Sequence, residues 1–296
     1  MREEYMIQNI LRQKKERVEA RLAGLLHTEE EAHRTLYAAM NYSLLAGGKR
    51  VRPALFLMTL DLFGVPDQPY LDAACALECV HTYSLIHDDL PQMDNDDYRR
   101  GRLTNHKVYG AGMATMAGDG LLTCAFALLA GMDIAPEVRC GLIALLAHAA
   151  GPEGMVGGQA QDIESEGKTL TADALRTLDR CKTGCLLAAP VDMGALVAGA
   201  EKRQADALHR YALHVGQLFQ ITDDLLDVSG TLEHMGKAPG QDAVMHKATW
   251  VSLFGAEGAR KLAEKEAEKA AGALSSFGPE ADALRELAGY LLHRTK

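Results

Sequence analysis

Residues 206–228 read DALHRYALHVGQLFQITDDLLDV, and this stretch predicts the fold class. Its apolar residues recur at i, i+3, i+4 and i+7, which is the period of an amphipathic helix. The same period runs through LDAACALECVHTYSLI at residues 71–86. Alternation of apolar and polar residues, which is typical of strands, is nearly absent from the sequence. The sequence therefore predicts an all-α protein.

The composition of the 296-residue chain is that of a globular protein, since 48% of the residues are hydrophobic and 24% are charged. No low-complexity linker and no repeat of fixed period divides the chain. We therefore predict a single domain over residues 1–296. The net charge of −9 disfavours nucleic acid as a partner, because a nucleic-acid-binding surface needs a basic excess to neutralise phosphates.

The termini and apolar runs bear on the location of the protein. The N-terminal stretch MREEYMIQNILRQKKERVEARL mixes charged and apolar residues at helical spacing, unlike a signal peptide. The longest apolar run, LLTCAFALLAGM at residues 121–132, stops at Asp133 and is shorter than a bilayer-spanning helix. We expect a soluble, cytoplasmic protein without stable membrane insertion.

Two pairs of cysteines share i,i+4 spacing, namely Cys75 with Cys79 and Cys181 with Cys185. This spacing places each pair on one helical face and raises the question of a zinc site. The short CxxC spacing that is usual in zinc knuckles is absent, so small buried thiols are the favoured interpretation.

A cluster of carboxylates interrupts the apolar pattern of residues 206–228. Asp227 follows Asp223 by four residues and Asp224 by three, so all three can crowd one helical face, where like charges repel unless cations are present. A hard cation such as Mg²⁺ binds through a few carboxylates, water and phosphate oxygens. A solvated acidic surface is the alternative, but it explains poorly why the carboxylates lie inside an apolar pattern.

A second acidic motif, HDDLPQMDNDDYRRG, occupies residues 87–101. Asp88 and Asp89 close a predicted helix that must end because of Pro91, and Asp94 then returns on the loop. Two long helices thus carry acidic ends that are far apart in sequence. This arrangement predicts one helical bundle in which both motifs face a shared cavity.

Basic residues accompany glycine turns, as a site for magnesium and a diphosphate requires. In GGKRVRP, Gly47 and Gly48 allow close approach of a phosphate to the backbone. The basic residues in such motifs are Lys49, Arg50, Arg52, Arg99, Arg100, Lys182, Lys237 and Lys247. Each of them alone would be read as a solvated side chain, but together they indicate an anion site.

Seven motifs occur in a fixed order along the chain: GGKRVRP, HTYSLIHDDLPQMDNDDYRRGRLTNHKVYG, AGDGLLT, GGQAQDI, KTG, GQLFQITDDLLDV and HKATW. In order and spacing they resemble the motifs of the trans-isoprenyl diphosphate synthases, in particular the bacterial farnesyl diphosphate synthases. The resemblance runs from about residue 40 to the C-terminus. It implies an isoprenoid synthase-type helical bundle around a deep central cavity, and usually a homodimer.

The resemblance also implies a set of site residues and substrates. Three Mg²⁺ ions would bridge the acidic motifs to an allylic diphosphate, and the second substrate would be isopentenyl diphosphate. The implied metal ligands are Asp88, Asp89, Asp94, Asp223 and Asp227, supported by Asp96, Asp97 and Asp224. The implied diphosphate-binding residues are Lys49, Arg52, His81, Arg99, Arg100 and Lys247. The residues expected to stabilise the ionised state are Lys182, Thr183, Gln220 and Lys237.

Product length would depend on the side chains below the first acidic motif. Tyr83 and Ser84 precede Asp88 by five and four residues, so they lie about one helical turn beneath it. The resemblance implies that an aromatic residue at position 83 fits a fifteen-carbon product, whereas a smaller one favours twenty carbons or more. A geranylgeranyl diphosphate synthase and a non-catalytic partner subunit remain alternatives. A terpene cyclase is disfavoured because it has no use for a second diphosphate site.

Two residues depart from the pattern of the family. Trp250 stands where tyrosine is more usual, and Gln161 stands where an apolar residue is more usual. Neither departure is expected to affect more than local packing and loop closure. His87, directly before the first aspartate, is expected to be structural.

Overall fold

A computed structural model describes residues 2–229 and 248–294, and these residues form a helical bundle. The helices are α1 (Arg2–Ala23), α2 (Arg34–Leu44), α3 (Val51–Leu62), α4 (Leu71–Asp88), α5 (Asn105–Tyr109), α6 (Ala111–Ala130), α7 (Pro136–Ala150), α8 (Met155–Ser165), α9 (Ala172–Asp179), a π-helix (Arg180–Gly184), α10 (Cys185–Val197), α11 (Lys202–Ser229), α12 (Trp250–Ala273) and α13 (Asp282–Leu292). Short 3₁₀ helices cover Glu31–His33, Gln68–Tyr70 and Pro279–Ala281. The strands are β1 (Tyr98–Arg99) and β2 (Arg102–Leu103). The all-α prediction is confirmed.

Helix α4 lies at the centre of the bundle and packs against α3 and α6. Residues from Ala73 to Val80 are buried on all faces of the helix, including the thiols of Cys75 and Cys79. The four cysteines of the two pairs are free thiols, but Cys181 and Cys185 are half-buried rather than buried. Because α4 is enclosed by other helices, its C-terminal end is held firmly where the first acidic motif begins.

Helix α11 carries the second acidic motif and packs mainly against α12 and α10. Its apolar face joins a core with α3, α10, α12 and α13. Close contact with the π-helix depends on glycine, because a Cβ atom at Gly216 would lie 2.9 Å from the Cα atom of Gly184. This approach places the acidic face of α11 beside residues 180–184.

The chain leaves α4 through a loop and a short antiparallel hairpin. The backbone N–H of Asp94 donates to the carbonyl of Asp88 over 2.9 Å, so the loop folds back on the helix end. In the hairpin Tyr98 pairs with Leu103, and Arg100 and Gly101 form the turn, both with positive φ. The sequence pattern did not predict this hairpin because each strand has only two residues.

Two stretches are long and apolar enough to cross a membrane by length and composition, namely Ala111–Ala130 and Pro136–Ser165, and 33% of each window is buried. The expectation that the longest apolar run is too short is therefore wrong for α6. The helix continues before residue 121 through small residues that the apolar run did not include. Core helices of soluble proteins pass the same test, and one side of α6 packs against α4.

Candidate active site

A large cavity of about 910 Å³ lies between the end of α4, α8, the π-helix and α11. Most of the residues that the sequence analysis assigned to the site line it. They are Lys49, Arg52, His81, Tyr83, Ser84, Asp88, Asp94, Arg99, Arg100, Lys182, Thr183, Gln220, Asp223 and Asp227. Residues from five separate regions of the chain thus converge on one space. Lys237 and Lys247 lie outside the described residues.

Asp89 differs from its neighbours because it does not line this cavity. Its side chain is buried, and both carboxylate oxygens accept hydrogen bonds from Nε of Arg99 over 2.7 and 2.9 Å. Burial raises the pKa of Asp89 to about 6, while Arg99 opposes the rise. The prediction of Asp89 as a metal ligand stays a prediction, and in this structure Arg99 contacts both of its oxygens. Asp96 also accepts from Arg99, over 3.3 Å, in the supporting position expected of it.

The second acidic motif divides its three carboxylates in a similar way. Asp223 and Asp227 line the cavity, and Asp227 Oδ1 is buried without a hydrogen-bond partner among the described residues. Asp224 is buried and accepts from the Nε2 atom of Gln220 over 2.9 Å and from the backbone N–H of Trp250 over 2.7 Å. All three carboxylates line the cavity, but Asp224 has both oxygens bonded to protein donors, and these bonds tie the helix to its surroundings.

The carboxylates of the two walls fit a hard divalent cation. A buried carboxylate oxygen without a donor, such as Oδ1 of Asp227, is costly unless a cation or water completes it. Within the described ranges no three acidic, histidine or cysteine side chains converge closely enough to hold an ion by themselves. An ion between the walls would therefore need further oxygens from water and from a phosphate, which is the coordination that Mg²⁺ prefers.

Basic residues also line the cavity, among them Lys49, Arg52, His81 and Arg100. Desolvation lowers the pKa of Arg52 to about 10, and desolvation together with Arg294 lowers that of Lys49 to about 8. Desolvation also lowers the pKa of His81 well below its ordinary value, and Arg52 and Arg100 lower it further. The Nε atom of Arg52 is buried without a partner among the described residues. These groups would all gain from a bound anion.

The glycine turn before Lys49 allows the approach of a side chain. The guanidinium of Arg100 donates to the carbonyl of Gly47, and a Cβ atom at Gly48 would lie 2.8 Å from the Cζ atom of Arg100. The sequence predicted that these glycines allow close approach of a phosphate to the backbone. In this structure the guanidinium of Arg100 lies at that position. Because Arg99 pairs with Asp89 and Arg100 pairs with this turn, the two neighbouring arginines point to different parts of the site.

The π-helix brings Lys182 and Thr183 to the cavity. Lys182 Nζ lies 2.5 Å from the Oδ2 atom of Asp162, and the hydroxyl of Thr183 donates to Oε1 of Gln220 over 3.1 Å. Helix α8 touches the backbone here, because a Cβ atom at Gly158 would lie 2.1 Å from the backbone nitrogen of Lys182. π-Helical turns occur often at functional sites. This one places Lys182 beside Asp162 of α8 and directs the hydroxyl of Thr183 to Gln220 of α11.

Comparison with known proteins identifies the family of this chain. The family model for polyprenyl synthetase matches residues 33–283. The chain belongs to the polyprenyl synthetase family. A farnesyl diphosphate synthase from Geobacillus stearothermophilus is 50% identical over 86% of each chain. A geranylgeranyl diphosphate synthase from Cyanophora paradoxa is 44% identical over 88% of this chain and 87% of its own.

A solved structure of the family supports the fold. The geranyltransferase from Helicobacter pylori, crystallised with magnesium and isoprenyl diphosphate, superposes with a TM-score of 0.86 at 33% identity. The superposition covers 96% of this chain and 95% of the other. The isoprenoid synthase-type bundle that the sequence predicted is thus confirmed.

Sequence reasoning missed one cation at the site, Arg294. It donates to Asp223 over 2.5 Å and to the carbonyl of Phe219 over 2.9 Å, and its guanidinium stacks 4.1 Å from the ring centroid of Phe219. Its sequence neighbours His293 and Thr295 form no glycine-flanked motif with it, so no local pattern indicated a role for Arg294. In this structure it shields one of the two cavity-facing aspartates of α11.

Trp250 was expected to affect only local packing and loop closure, and that expectation needs correction. Its indole Nε1–H donates to Asp179 Oδ2 over 2.6 Å, and its backbone N–H donates to Asp224. Burial raises the pKa of Asp179 to about 6, and the bonds from Trp250 and Gln217 oppose this rise. Asp179 directly precedes the π-helix, and Asp224 lies on α11. The two hydrogen bonds of Trp250 therefore link the π-helix to α11. The tryptophan at position 250, where tyrosine is more usual in the family, was the sequence signal for this role.

Proposed function

We propose that the protein is a farnesyl diphosphate synthase. It would join isopentenyl diphosphate to dimethylallyl or geranyl diphosphate and yield (2E,6E)-farnesyl diphosphate and diphosphate. The observation that carries this proposal is that one cavity is lined both by carboxylates of the two acidic motifs, called the acidic part, and by Lys49, Arg52, His81 and Arg100, called the basic part. Two parts of opposite charge provide for two diphosphates, one bound through metal ions and one bound directly by cations. A site with a single diphosphate would leave the basic part without a ligand.

The acidic part would bind the allylic diphosphate. When Mg²⁺ is bound, it neutralises the diphosphate and favours its departure. We propose that three such ions would be held by Asp88, Asp94, Asp223 and Asp227. Lys182, and Lys237 and Lys247 from outside the described residues, would add positive charge to the leaving group. The carbon–oxygen bond breaks, and its electron pair stays with the diphosphate.

The allyl cation that remains would be stabilised by oxygen dipoles of the π-helix wall. The Thr183 hydroxyl and the Gln220 amide line the cavity and hydrogen-bond to each other, so both are fixed before the reaction. Asp224 holds the amide nitrogen of Gln220, which leaves its oxygen to face Thr183 and the cavity. A preorganised dipole stabilises a developing charge without needing to reorient.

The basic part would bind isopentenyl diphosphate through Lys49, Arg52, His81 and Arg100. Because desolvation lowers the pKa of His81, this histidine would be neutral and would donate one N–H to the anion. The double bond of isopentenyl diphosphate attacks the allyl cation and forms the new carbon–carbon bond. The departed diphosphate then accepts the proton that restores a double bond, so no general base of the protein is needed.

A product assay tests the proposed function directly. Radiolabelled isopentenyl diphosphate, geranyl diphosphate and Mg²⁺ should give a fifteen-carbon product with the purified protein. Chelation of the metal should abolish turnover, and added Mg²⁺ should restore it. Absence of any magnesium-dependent product would support a non-catalytic partner subunit instead.

Tyr83 favours a fifteen-carbon product over a twenty-carbon one. Its ring is buried in the cavity wall, and desolvation together with Asp88 raises its pKa to about 12, so the phenol stays neutral. A bulky ring at this depth would stop a growing chain. Tyr83→Ala should lengthen the products while magnesium dependence persists, and an unchanged fifteen-carbon product would show that another group forms the floor. Mainly twenty-carbon product from the wild type would favour the geranylgeranyl diphosphate synthase alternative.

A homodimer of single-domain, cytoplasmic subunits completes the proposal. Only a third of the apolar window of α6 is buried, and Met116 of this helix is 50% exposed. A second copy seated on α6 and α7 would cover this surface, as large exposed apolar patches require. Sedimentation of the purified protein should give twice the mass of the chain, and Met116→Glu should shift it toward the monomer.

A further inference from the structure

One helical turn above Tyr83, on the side of Asp88, His87 forms a further part of the cavity wall. Tyr83 and His87 are one helical turn apart on α4, and their rings meet edge to face with centroids 5.7 Å apart at 79°. Both side chains line the cavity. The phenol ring that would limit the product therefore rests against an imidazole, so the position of this imidazole bears on the depth of the cavity.

Helix α6 fixes the imidazole from the other side. Its Nε2 atom lies 3.1 Å from the carbonyl oxygen of Thr115, to which it donates as the Nε2–H tautomer, and 3.8 Å from Asp119. A Cβ atom at Gly118 would lie 2.1 Å from the same nitrogen, which is inside the contact distance of any two non-bonded atoms. The ring therefore occupies the space that any side chain at position 118 would need. Its location depends on glycine at this point of α6.

We infer that His87, seated against Gly118, positions the Tyr83 ring and thereby sets the length of the product. His87 is a positioning residue here, since it acts on the chain through Tyr83. The inference rests on the proposed function, because it concerns the depth of the same cavity. It also gives His87 more than the structural role that the sequence suggested.

The two contacts predict product changes of opposite sign. His87→Ala removes the edge-to-face contact that holds the phenol ring, so Tyr83 can turn aside toward α6, out of the path of the growing chain, and the cavity deepens. Gly118→Ala pushes the imidazole away from α6 and toward Tyr83, so the cavity becomes shallower. A general loss of stability would slow both variants, but it would not shift their products in opposite directions.

The test is chromatography of the products from dimethylallyl diphosphate and labelled isopentenyl diphosphate, with lengths expressed as ratios. We expect His87→Ala to raise the ratio of twenty- to fifteen-carbon product about tenfold, the scale at which pockets discriminate one alkyl unit. Gly118→Ala should raise the ratio of ten- to fifteen-carbon product similarly. Gly112→Ala is the matched control, because it adds the same methyl group to α6 at a site with nothing within 4 Å. Its product ratio should equal that of the wild type.

The double variant His87→Ala with Gly118→Ala decides the mechanism. Without the imidazole the added methyl group meets no ring, so the double variant should give the long products of His87→Ala. Short products from the double variant would overturn the inference, as would unchanged lengths in His87→Ala even if Gly118→Ala failed to fold. Wild-type protein without any prenyl product would overturn the proposed function and this inference together. Normal wild-type product with unchanged lengths in both variants would overturn this inference alone.

Discussion

The two acidic motifs reach the same division of labour by different local structures. In the first motif, the turn after α4 sends Asp88 and Asp94 to the cavity and leaves Asp89 with Arg99. In the second, the helical rotation of α11 sends Asp223 and Asp227 to the cavity. Asp224 also borders the cavity, but both of its oxygens accept hydrogen bonds, from Gln220 and from the backbone of Trp250.

This difference shows that a run of aspartates is not a run of equivalent ligands. In each motif one carboxylate, Asp89 or Asp224, has both oxygens bonded to protein donors, whereas the hydrogen bond of Arg294 to Asp223 involves one oxygen. The chemistry that a carboxylate can perform depends on whether protein donors already occupy its oxygens. The comparison predicts that the two kinds of aspartate fail in different ways when they are changed.

The largest expected effect separates a cavity-facing aspartate from a supporting one. Asp223→Ala should lower kcat/KM by about 10³-fold, because an electrostatic contact to the reacting diphosphate is lost. Asp96→Ala, the control, should lower it by less than about tenfold, because Arg99 keeps its contact with Asp89. Steady-state kinetics at saturating Mg²⁺ provide the measurement. Equal losses in the two variants would undo the division.

The protein-bound aspartates should instead affect stability. Asp89→Asn and Asp224→Asn should each lower the free energy of unfolding by about 2 kcal/mol, since buried donors lose a charged acceptor. Asp227→Asn, which changes a cavity-facing carboxylate whose Oδ1 has no hydrogen-bond partner among the described residues, should leave the free energy of unfolding nearly unchanged. Urea denaturation measures all three. Unchanged stability of Asp89→Asn with a loss of magnesium affinity would restore Asp89 as a metal ligand.

Trp250 offers a smaller effect on the second wall. Trp250→Phe keeps an aromatic ring beside Phe254, with which Trp250 stacks at 5.9 Å, but it removes the indole donor to Asp179. The free energy of unfolding should fall by about 1–2 kcal/mol. Phe254→Leu is the control, since it removes the stacking and keeps the bond. A loss confined to the Phe254 variant would assign the role of Trp250 to packing.

A further effect on the second wall is a pH dependence carried by Asp179. Its pKa is about 6 in the folded protein and has an ordinary value of 3.8. The folded state therefore binds more protons between these values, and the contribution of Asp179 to stability falls as the pH rises from about 4 to 6. The fall is at most about 1.4 kcal/mol per pH unit. Asp179→Asn should lack this decline in thermal melts across the window, and parallel curves for the two proteins would contradict it.

The sequence by itself determined the helical class, because the apolar period of residues 71–86 and 206–228 is a local property of the chain. It also located the acidic motifs and the basic turns, since clustered charge is visible without knowledge of the fold. Four of its five predicted metal ligands line the cavity, and Asp89 is the exception. These predictions depend only on residues that are neighbours along the chain, so they can be made without knowledge of the fold.

Only the tertiary structure decided which groups pair across the bundle. Asp89 turns to Arg99 because of a hairpin that is too short to have a sequence pattern. Arg294 meets Asp223, and His87 seats on Gly118, across separations that no local period encodes. A side chain at a helix end can meet partners on several elements, and the packing of the whole bundle selects one. For that reason the sequence could name the residues of this site but not the partner that holds each one.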